Sequence, residues 1–191
     1  MEQFMAEIEI AEAKAFYAIQ SYIELIHSET YSLMLQKFAP KHKYNELFNA
    51  IENNPTIKQK AQFATKYMDP NLPLAERLWA FCIFEGVLFS ASFASIYWLR
   101  TKGKCPGLTF SNTLIARDEA LHTEFGVEMY KMIQTPLTTE RIHAIIKEAV
   151  TCEINFVVNS LPKKIIGMNA TQMIQYVQFC ADRLLQMIQQ P

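Results

Sequence analysis

The chain has 191 residues, enough for one domain with a substantial hydrophobic core. Half of its residues are hydrophobic and its formal net charge is −1, which gives no electrostatic basis for binding nucleic acid or an anionic membrane. The four cysteines stand far apart without a C-x-x-C pair, and the N-terminus lacks the pattern of a signal peptide. These features exclude a disulfide or zinc framework and predict a cytoplasmic protein with reduced thiols.

The sequence predicts helices joined by short loops, because no segment alternates apolar and polar residues for long enough to form a sheet. Pro40, and Pro70 with Pro73, mark clear breaks between helices. We expect a single all-α domain over residues 1–191. Its helices are expected at about 1–38, 43–53, 56–67, from the break at Pro73 to about Arg100, from Ser111 or Asn112 to about Ile133, from Thr138 to before Leu161-Pro162, and at 169–187.

The helix that ends near Arg100 contains a segment from Leu78 to Leu99 with Glu85 as its single charge. Its length alone would allow a membrane span. However, Glu85 and several serines interrupt the apolar residues, and no second segment resembles it. A helix that is apolar on all sides also fits the centre of a helical bundle, which is the interpretation we favour.

The most informative feature of the chain is a Glu-x-x-His motif that occurs twice, as Glu24/His27 and Glu119/His122. Residues three apart lie on the same face of a helix, so each copy directs a carboxylate and an imidazole to one place. Such pairs from two helices, with lone carboxylates from two others, form di-iron or di-manganese centres in four-helix bundles. Glu85 is the candidate for one lone carboxylate.

Burial strengthens this interpretation, because an unpaired charge at Glu85 would cost several kcal/mol. Protonation or an ion pair is the ordinary alternative, yet the segment from Leu78 to Leu99 contains no lysine or arginine. A metal ion would explain Glu24, Glu85 and Glu119 together. A site rich in oxygen ligands with a few imidazoles suits iron or manganese better than zinc.

Four further residues are candidates by position. Tyr31 lies one turn after His27, where a metal centre could oxidise it, although a core tyrosine is the simpler interpretation. Phe89 and Phe93 follow Glu85 at helical spacing and either shield such a tyrosine or belong to an ordinary core. Asp118 precedes Glu119 and either accepts a hydrogen bond from a ligating histidine or pairs with a basic residue such as Arg117.

Several longer motifs resemble one family, the small, radical-generating subunit of class I ribonucleotide reductase in its eukaryotic and viral form. The resemblance covers nearly the whole chain in order. Its motifs are Glu24–Ser32 (ELIHSETYS), Phe84–Ala94 (FEGVLFSASFA), Pro106–Asn112 (PGLTFSN), Ala116–His122 (ARDEALH), Leu161-Pro162, Ile166–Asn169 (IGMN) and Ala181–Leu184 (ADRL).

The resemblance implies a ferritin-like bundle with a di-iron centre, two irons per chain or manganese in their place. Such a centre reacts with oxygen to make a tyrosyl radical, which a large subunit uses to reduce ribonucleotides to deoxyribonucleotides for DNA replication. Tyr31 matches the radical tyrosine, and Asp118 matches the aspartate that links a ligating histidine to the radical-transfer route. The matching metal ligands are Glu24, His27, Glu85, Glu119 and His122.

The chain also departs from the family pattern. The resemblance implies six metal ligands, and the sixth, an aspartate on a preceding helix, has no counterpart here. Glu7, Glu9 and Glu12 lie too far before Glu24 on the predicted first helix to replace it. The family's outward-path tryptophan and C-terminal tail are also unmatched.

These departures leave three interpretations open. The first is a reductase small subunit, as a homodimer or with a separate chain that supplies the missing helix. The second is a different ferritin-like di-iron oxidase, which would need neither Tyr31 nor Asp118. The third is a catalytically incomplete fragment that binds a partner.

Overall fold

A computed structural model describes residues 1–161 and 167–190 of the chain. Every regular element among them is helical, which confirms the predicted all-α class. The motif residues Pro162 and Ile166 lie outside the described residues. The chain divides into two compact units, residues 1–48 and 49–191, which are described separately. The prediction of a single domain therefore stays a prediction.

The N-terminal unit contains a short helix α1 (Glu2–Glu7), a long helix α2 (Ala11–Phe38) and a small helix α3 (Tyr44–Phe48) after a 3-10 turn. The predicted continuous helix from Met1 is therefore wrong. Ile8 and Ile10 have extended backbone angles, and the chain reverses so that Phe4 packs on Tyr17 with ring centroids 5.5 Å apart. On a continuous helix these residues would be separated by about 20 Å.

This reversal also changes the positions of the acidic residues near the N-terminus. Glu7 ends α1 and Glu9 lies between the two helices, so neither is on the helix that carries Glu24. Glu12 alone of the three lies on α2.

The second unit is built from seven helices within its described residues, and several of their ends follow from local sequence. Asn54 caps the helix that begins at Pro55, because its side chain accepts hydrogen bonds from the backbone N–H groups of Thr56 and Ile57. Thr138 and Asn169 cap two later helices in the same way, and both helices begin within one residue of their predicted starts. The helices are α4 (Ala50–Asn53), α5 (Pro55–Tyr67), α6 (Leu74–Val87), α7 (Ser90–Thr101), α8 (Pro106–Lys131), α9 (Thr139–Ser160) and α10 (Ala170–Met187).

Helix α8 begins earlier than predicted. Its first residue is Pro106, because proline lacks an N–H and its fixed φ suits the first helical position. Cys105 precedes it with a left-handed backbone. Asn112, predicted as an N-cap, is instead fully buried inside the helix.

The predicted apolar helix is divided into α6 and α7 by a break at Leu88 and Phe89. The whole segment from Leu74 to Thr101 is long and apolar enough to cross a membrane, but about half of its most apolar window is buried inside the protein. A core helix meets the same criterion. Helix α6 buries most of its length, and the indole N–H of Trp79 donates to the carbonyl of Ile142 on α9 at 3.1 Å.

Two glycines allow α6 and α8 to pack closely. A Cβ at Gly126 would lie 2.8 Å from the Sγ of Cys82, and a Cβ at Gly86 would lie 3.1 Å from the Thr123 methyl group. Both distances are shorter than side chains ordinarily tolerate. The absence of side chains at these positions therefore brings the two helices to the spacing that the site requires.

We expect Cys82 to be the last of the four free cysteines to react with iodoacetamide in the native protein. It is fully buried, and burial raises the pKa of its thiol far above the ordinary value, so little thiolate forms. Peptide mass spectrometry over a time course measures the order, with half-buried Cys105 as the comparison. Equal labelling rates at Cys82 and Cys105 would contradict the packing described for α6 and α8.

Candidate metal centre

Helices α6 and α8 bring three predicted ligands together. Glu119 and His122 lie one turn apart on α8, and the Nδ1 of His122 is 3.3 Å from the Oε2 of Glu119. The same nitrogen is 4.0 Å from the Oε2 of Glu85 on α6. One ligand atom from each of these residues lies within 4.8 Å of the other two. The convergence follows from the close packing at Gly86 and Gly126.

The donor set fits a metal ion. Glu85, Glu119 and His122 are all buried, with exposed fractions of 8%, 7% and 3%. Two carboxylates held this close inside a protein repel each other, and a cation between them relieves the repulsion. Two oxygen donors with one imidazole nitrogen suit iron or manganese. The second unit therefore presents a Glu/His cluster that can bind metal.

Helix α2 in the N-terminal unit carries the other predicted ligands and the predicted radical residue. The Nδ1 of His27 lies 3.5 Å from the Oε2 of Glu24, so this Glu-x-x-His pair also directs both groups to one place. His27 is buried. Tyr31 lies one turn further along α2 and is 36% exposed. The roles of Glu24, His27 and Tyr31 stay predictions.

Asp118 is half-buried on α8, directly before Glu119. Phe89 lies in the break after α6, with its ring centroid 5.0 Å from that of Phe84 and 6.4 Å from that of Phe93. The three rings form one aromatic cluster next to the α6 end that carries Glu85. The predicted roles of Asp118, Phe89 and Phe93 stay predictions.

A cavity of about 200 Å³ lies beside the cluster, and the sequence did not indicate it. Glu85 and Glu119 form part of its wall, and helix α10 contributes another part through Tyr176, Cys180 and Arg183. Burial raises the pKa of Tyr176 to about 12 and also raises the pKa of Cys180. Arg183 belongs to one of the family motifs, but nothing in its spacing pointed to a cavity.

Comparison with known proteins extends these observations to the whole chain. The family model "Ribonucleotide reductase, small chain" matches residues 1–191. The chain is 48% identical over 184 residues to the ribonucleoside-diphosphate reductase small subunit of Dictyostelium discoideum, covering 96% of this chain and 54% of that protein. It is 47% identical over 185 residues to the ribonucleoside-diphosphate reductase small chain of Vaccinia virus (strain Ankara), and the match covers 96% of this chain and 58% of the viral protein.

A solved structure agrees with these sequence relatives. The chain resembles the Saccharomyces cerevisiae ribonucleotide reductase Rnr4 homodimer with a TM-score of 0.88 and 36% identity, covering 99% of this chain and 60% of that one. The fold is therefore the ferritin-like helical fold, although the chain spans little more than half the length of these relatives. None of them supports a separate chain that supplies a helix. With its motifs, its Glu/His cluster and its full-length family match, this chain belongs to the ribonucleotide reductase small chain family.

Proposed function

We propose that the chain is a radical-generating small subunit of ribonucleoside-diphosphate reductase. Its metal ligands are Glu24, His27, Glu85, Glu119 and His122, and its metal is iron, with manganese as the alternative. The observation that carries the proposal is the buried cluster of Glu85, Glu119 and His122 in a chain of this family. The two pairs on α2 and α8 have the same Glu-x-x-His form, which supports their common role.

Iron held by these residues would supply the reduction of dioxygen and the oxidising equivalent. The carboxylates of Glu85 and Glu119 would hold and neutralise the cations, and their buried surroundings exclude bulk water. His122 would bind the metal through its imidazole. Glu119 restricts the orientation of that ring, since the two side chains lie one helical turn apart.

In this proposal Tyr31 stores the oxidising equivalent as a radical, and Asp118 links the metal centre to the route by which it is transferred. Tyr31 would be the phenol that supplies one electron and one proton to this oxidising equivalent and so carries the neutral radical. Asp118 accepts a hydrogen bond from a ligating histidine and connects the centre to the route toward a large subunit. That large subunit is the proposed partner, in the cytoplasm, and its substrate is a ribonucleoside diphosphate. A homodimer is proposed as well, since the similar yeast structure is one.

Substituting Tyr31 by phenylalanine tests the radical assignment. The purified chain is loaded with Fe(II) without oxygen, exposed to oxygen and examined by EPR spectroscopy. We expect a tyrosyl signal in the wild type, its loss in Tyr31→Phe, and unchanged bound iron, because Tyr31 is not a ligand. Tyr22→Phe is the control, since Tyr22 is an exposed tyrosine on the same helix. A signal that persists in Tyr31→Phe would contradict the assignment.

A second candidate function is metal binding without a lasting radical. The 36% exposure of Tyr31 favours it, because water and reductants would reach the phenol. The same experiment separates the two candidates. Bound iron with no tyrosyl signal in the wild type would support the second, as in an oxidase of the same fold or an incomplete small subunit.

A further inference from the structure

The local sequence accounts for the break between α6 and α7 only in part, through the neighbouring residues Gly86 and Ser90. Leu88 and Phe89 are neither proline nor glycine, yet α6 ends at Val87 and α7 begins at Ser90. Sharp interruptions of a helix ordinarily occur at such residues or where another group enters the backbone ladder. Contacts from elsewhere in the second unit therefore act on this break together with the local hydroxyl of Ser90.

Three side chains form hydrogen bonds with backbone groups at the break. Lys60 on α5 donates from its Nζ to the carbonyl of Leu88 at 2.8 Å. Glu153 on α9 accepts from the backbone N–H of Ala91 at 3.1 Å. The hydroxyl of Ser90 donates to the carbonyl of Val87 at 2.7 Å. A continuous helix would bond these backbone groups within itself.

Lys60 and Glu153 also form a buried ion pair with each other. The Nζ of Lys60 lies 2.5 Å from the Oε2 of Glu153, and their side chains are 13% and 0% exposed. The ammonium group also lies over the ring of Phe156, 3.7 Å from its centroid. Burial lowers the pKa of Lys60 and raises the pKa of Glu153, so desolvation disfavours both charges and each depends on its partner.

We propose that Lys60 and Glu153 are positioning residues that hold the α6–α7 break and thereby fix Glu85 in the metal centre. The lysine occupies the carbonyl end of α6, and the glutamate occupies the N–H end of α7. Glu85 lies three residues before Leu88 in the last turn of α6. This inference rests on the proposed function, because it assigns the two residues a role toward the same metal site.

The break also sets how α7 continues past the site. Glu85 from α6 and Phe93 from α7 both line the 200 Å³ cavity. If α6 and α7 were one continuous helix, the angle about the helix axis between the side chains of Glu85 and Phe93 would be set by the regular 100° per residue. The ion pair therefore determines which side chains of α7 face the cavity beside Glu85.

The test uses Lys60→Met/Glu153→Leu in the full chain. Replacing both members of a buried ion pair by apolar residues commonly preserves stability, whereas removing one leaves an uncompensated charge. We expect this double variant to fold with a thermal midpoint near that of the wild type. We also expect Co(II) affinity to fall about 10–100-fold, with an altered visible spectrum that reports changed coordination. Hydrogen exchange of the amides at residues 88–93 should become at least about tenfold faster.

Arg141→Met/Glu76→Leu is the control, because that ion pair likewise joins α9 to another helix, here α6, but its Glu76 lies nine residues before Glu85. It should leave the Co(II) spectrum and the exchange at 88–93 unchanged. Wild-type affinity, spectrum and exchange rates in Lys60→Met/Glu153→Leu would overturn the proposal.

The metal-free exchange measurement keeps this inference distinct from the proposed function. If the wild type binds no Co(II), the proposed function fails, and exchange at residues 88–93 alone decides whether the ion pair holds the break. Unchanged exchange then overturns the inference as well. If Lys60→Met/Glu153→Leu does not fold, the double variant Lys60→Met/Glu153→Gln provides the same two measurements, since it removes the ion pair and the contact of Lys60 with Leu88 without leaving an uncompensated charge.

Discussion

Glu85→Gln should lower the affinity for Fe(II) and at the same time stabilise the metal-free protein. Glutamine keeps the shape of the side chain but removes a charge that lies within 4.8 Å of a Glu119 oxygen. Removing a residue that only hydrogen-bonds to a metal ligand typically lowers metal affinity by ~10–100-fold. Removing a ligand itself should lower the Fe(II) affinity by at least as much. Relief of the repulsion between two buried carboxylates should raise the free energy of unfolding of the metal-free protein by about 1–3 kcal/mol.

Isothermal titration with Fe(II) under anaerobic conditions measures the first effect, and denaturant unfolding in the presence of chelator measures the second. Glu128→Gln is the control, because Glu128 is an exposed residue of α8 whose ion pair with Lys131 contributes little. We expect neither quantity to change appreciably in that variant. A Glu85→Gln protein that binds Fe(II) like the wild type would contradict the assignment of Glu85 as a ligand.

Gly126→Ala should destabilise the protein and weaken metal binding, whereas alanine at Gly107 should do neither. The new Cβ would lie 2.8 Å from the Sγ of Cys82, so α8 must move away from α6 and take Glu119 and His122 with it. Overpacking of this kind costs about 1–3 kcal/mol. A Cβ at Gly107 meets nothing within 4 Å, and alanine there should be neutral or stabilising by up to about 1 kcal/mol.

Denaturant unfolding and Fe(II) titration of both variants test this expectation. The double variant Gly126→Ala/Cys82→Ala should recover much of the lost stability and affinity, since it removes the sulfur atom that the new methyl group meets. Absence of any recovery would show that the spacing of α6 and α8 does not depend on this contact.

The site could be predicted from sequence largely because helical spacing is a local property. Glu119 and His122 lie three residues apart, and their convergence needs only that the segment be a helix. The burial of Glu85 followed from its apolar neighbours in the same way. Pattern and propensity therefore identified the cluster that the second unit forms.

The helix boundaries predicted from the sequence are wrong where contacts between distant residues determine the backbone conformation. The break at Leu88 depends on Lys60 and Glu153, which lie far from it in the chain and gave no signal in the local sequence. Likewise, the interruption at Ile8 accompanies the packing of Phe4 on Tyr17, which periodicity alone does not reveal. The early start of α8 has a different origin, because Pro106 is itself a local signal for a first helical residue, whereas the predicted start rests on the N-cap preferences of Ser111 and Asn112.

Anomalous scattering at the iron absorption edge, measured on a crystal of the chain soaked anaerobically with Fe(II), determines whether iron binds at the buried Glu/His cluster. We expect an anomalous peak within bonding distance of the Glu85 and Glu119 carboxylates and the His122 imidazole. An anomalous map with no peak at these three residues, or with iron bound only elsewhere, would contradict this expectation.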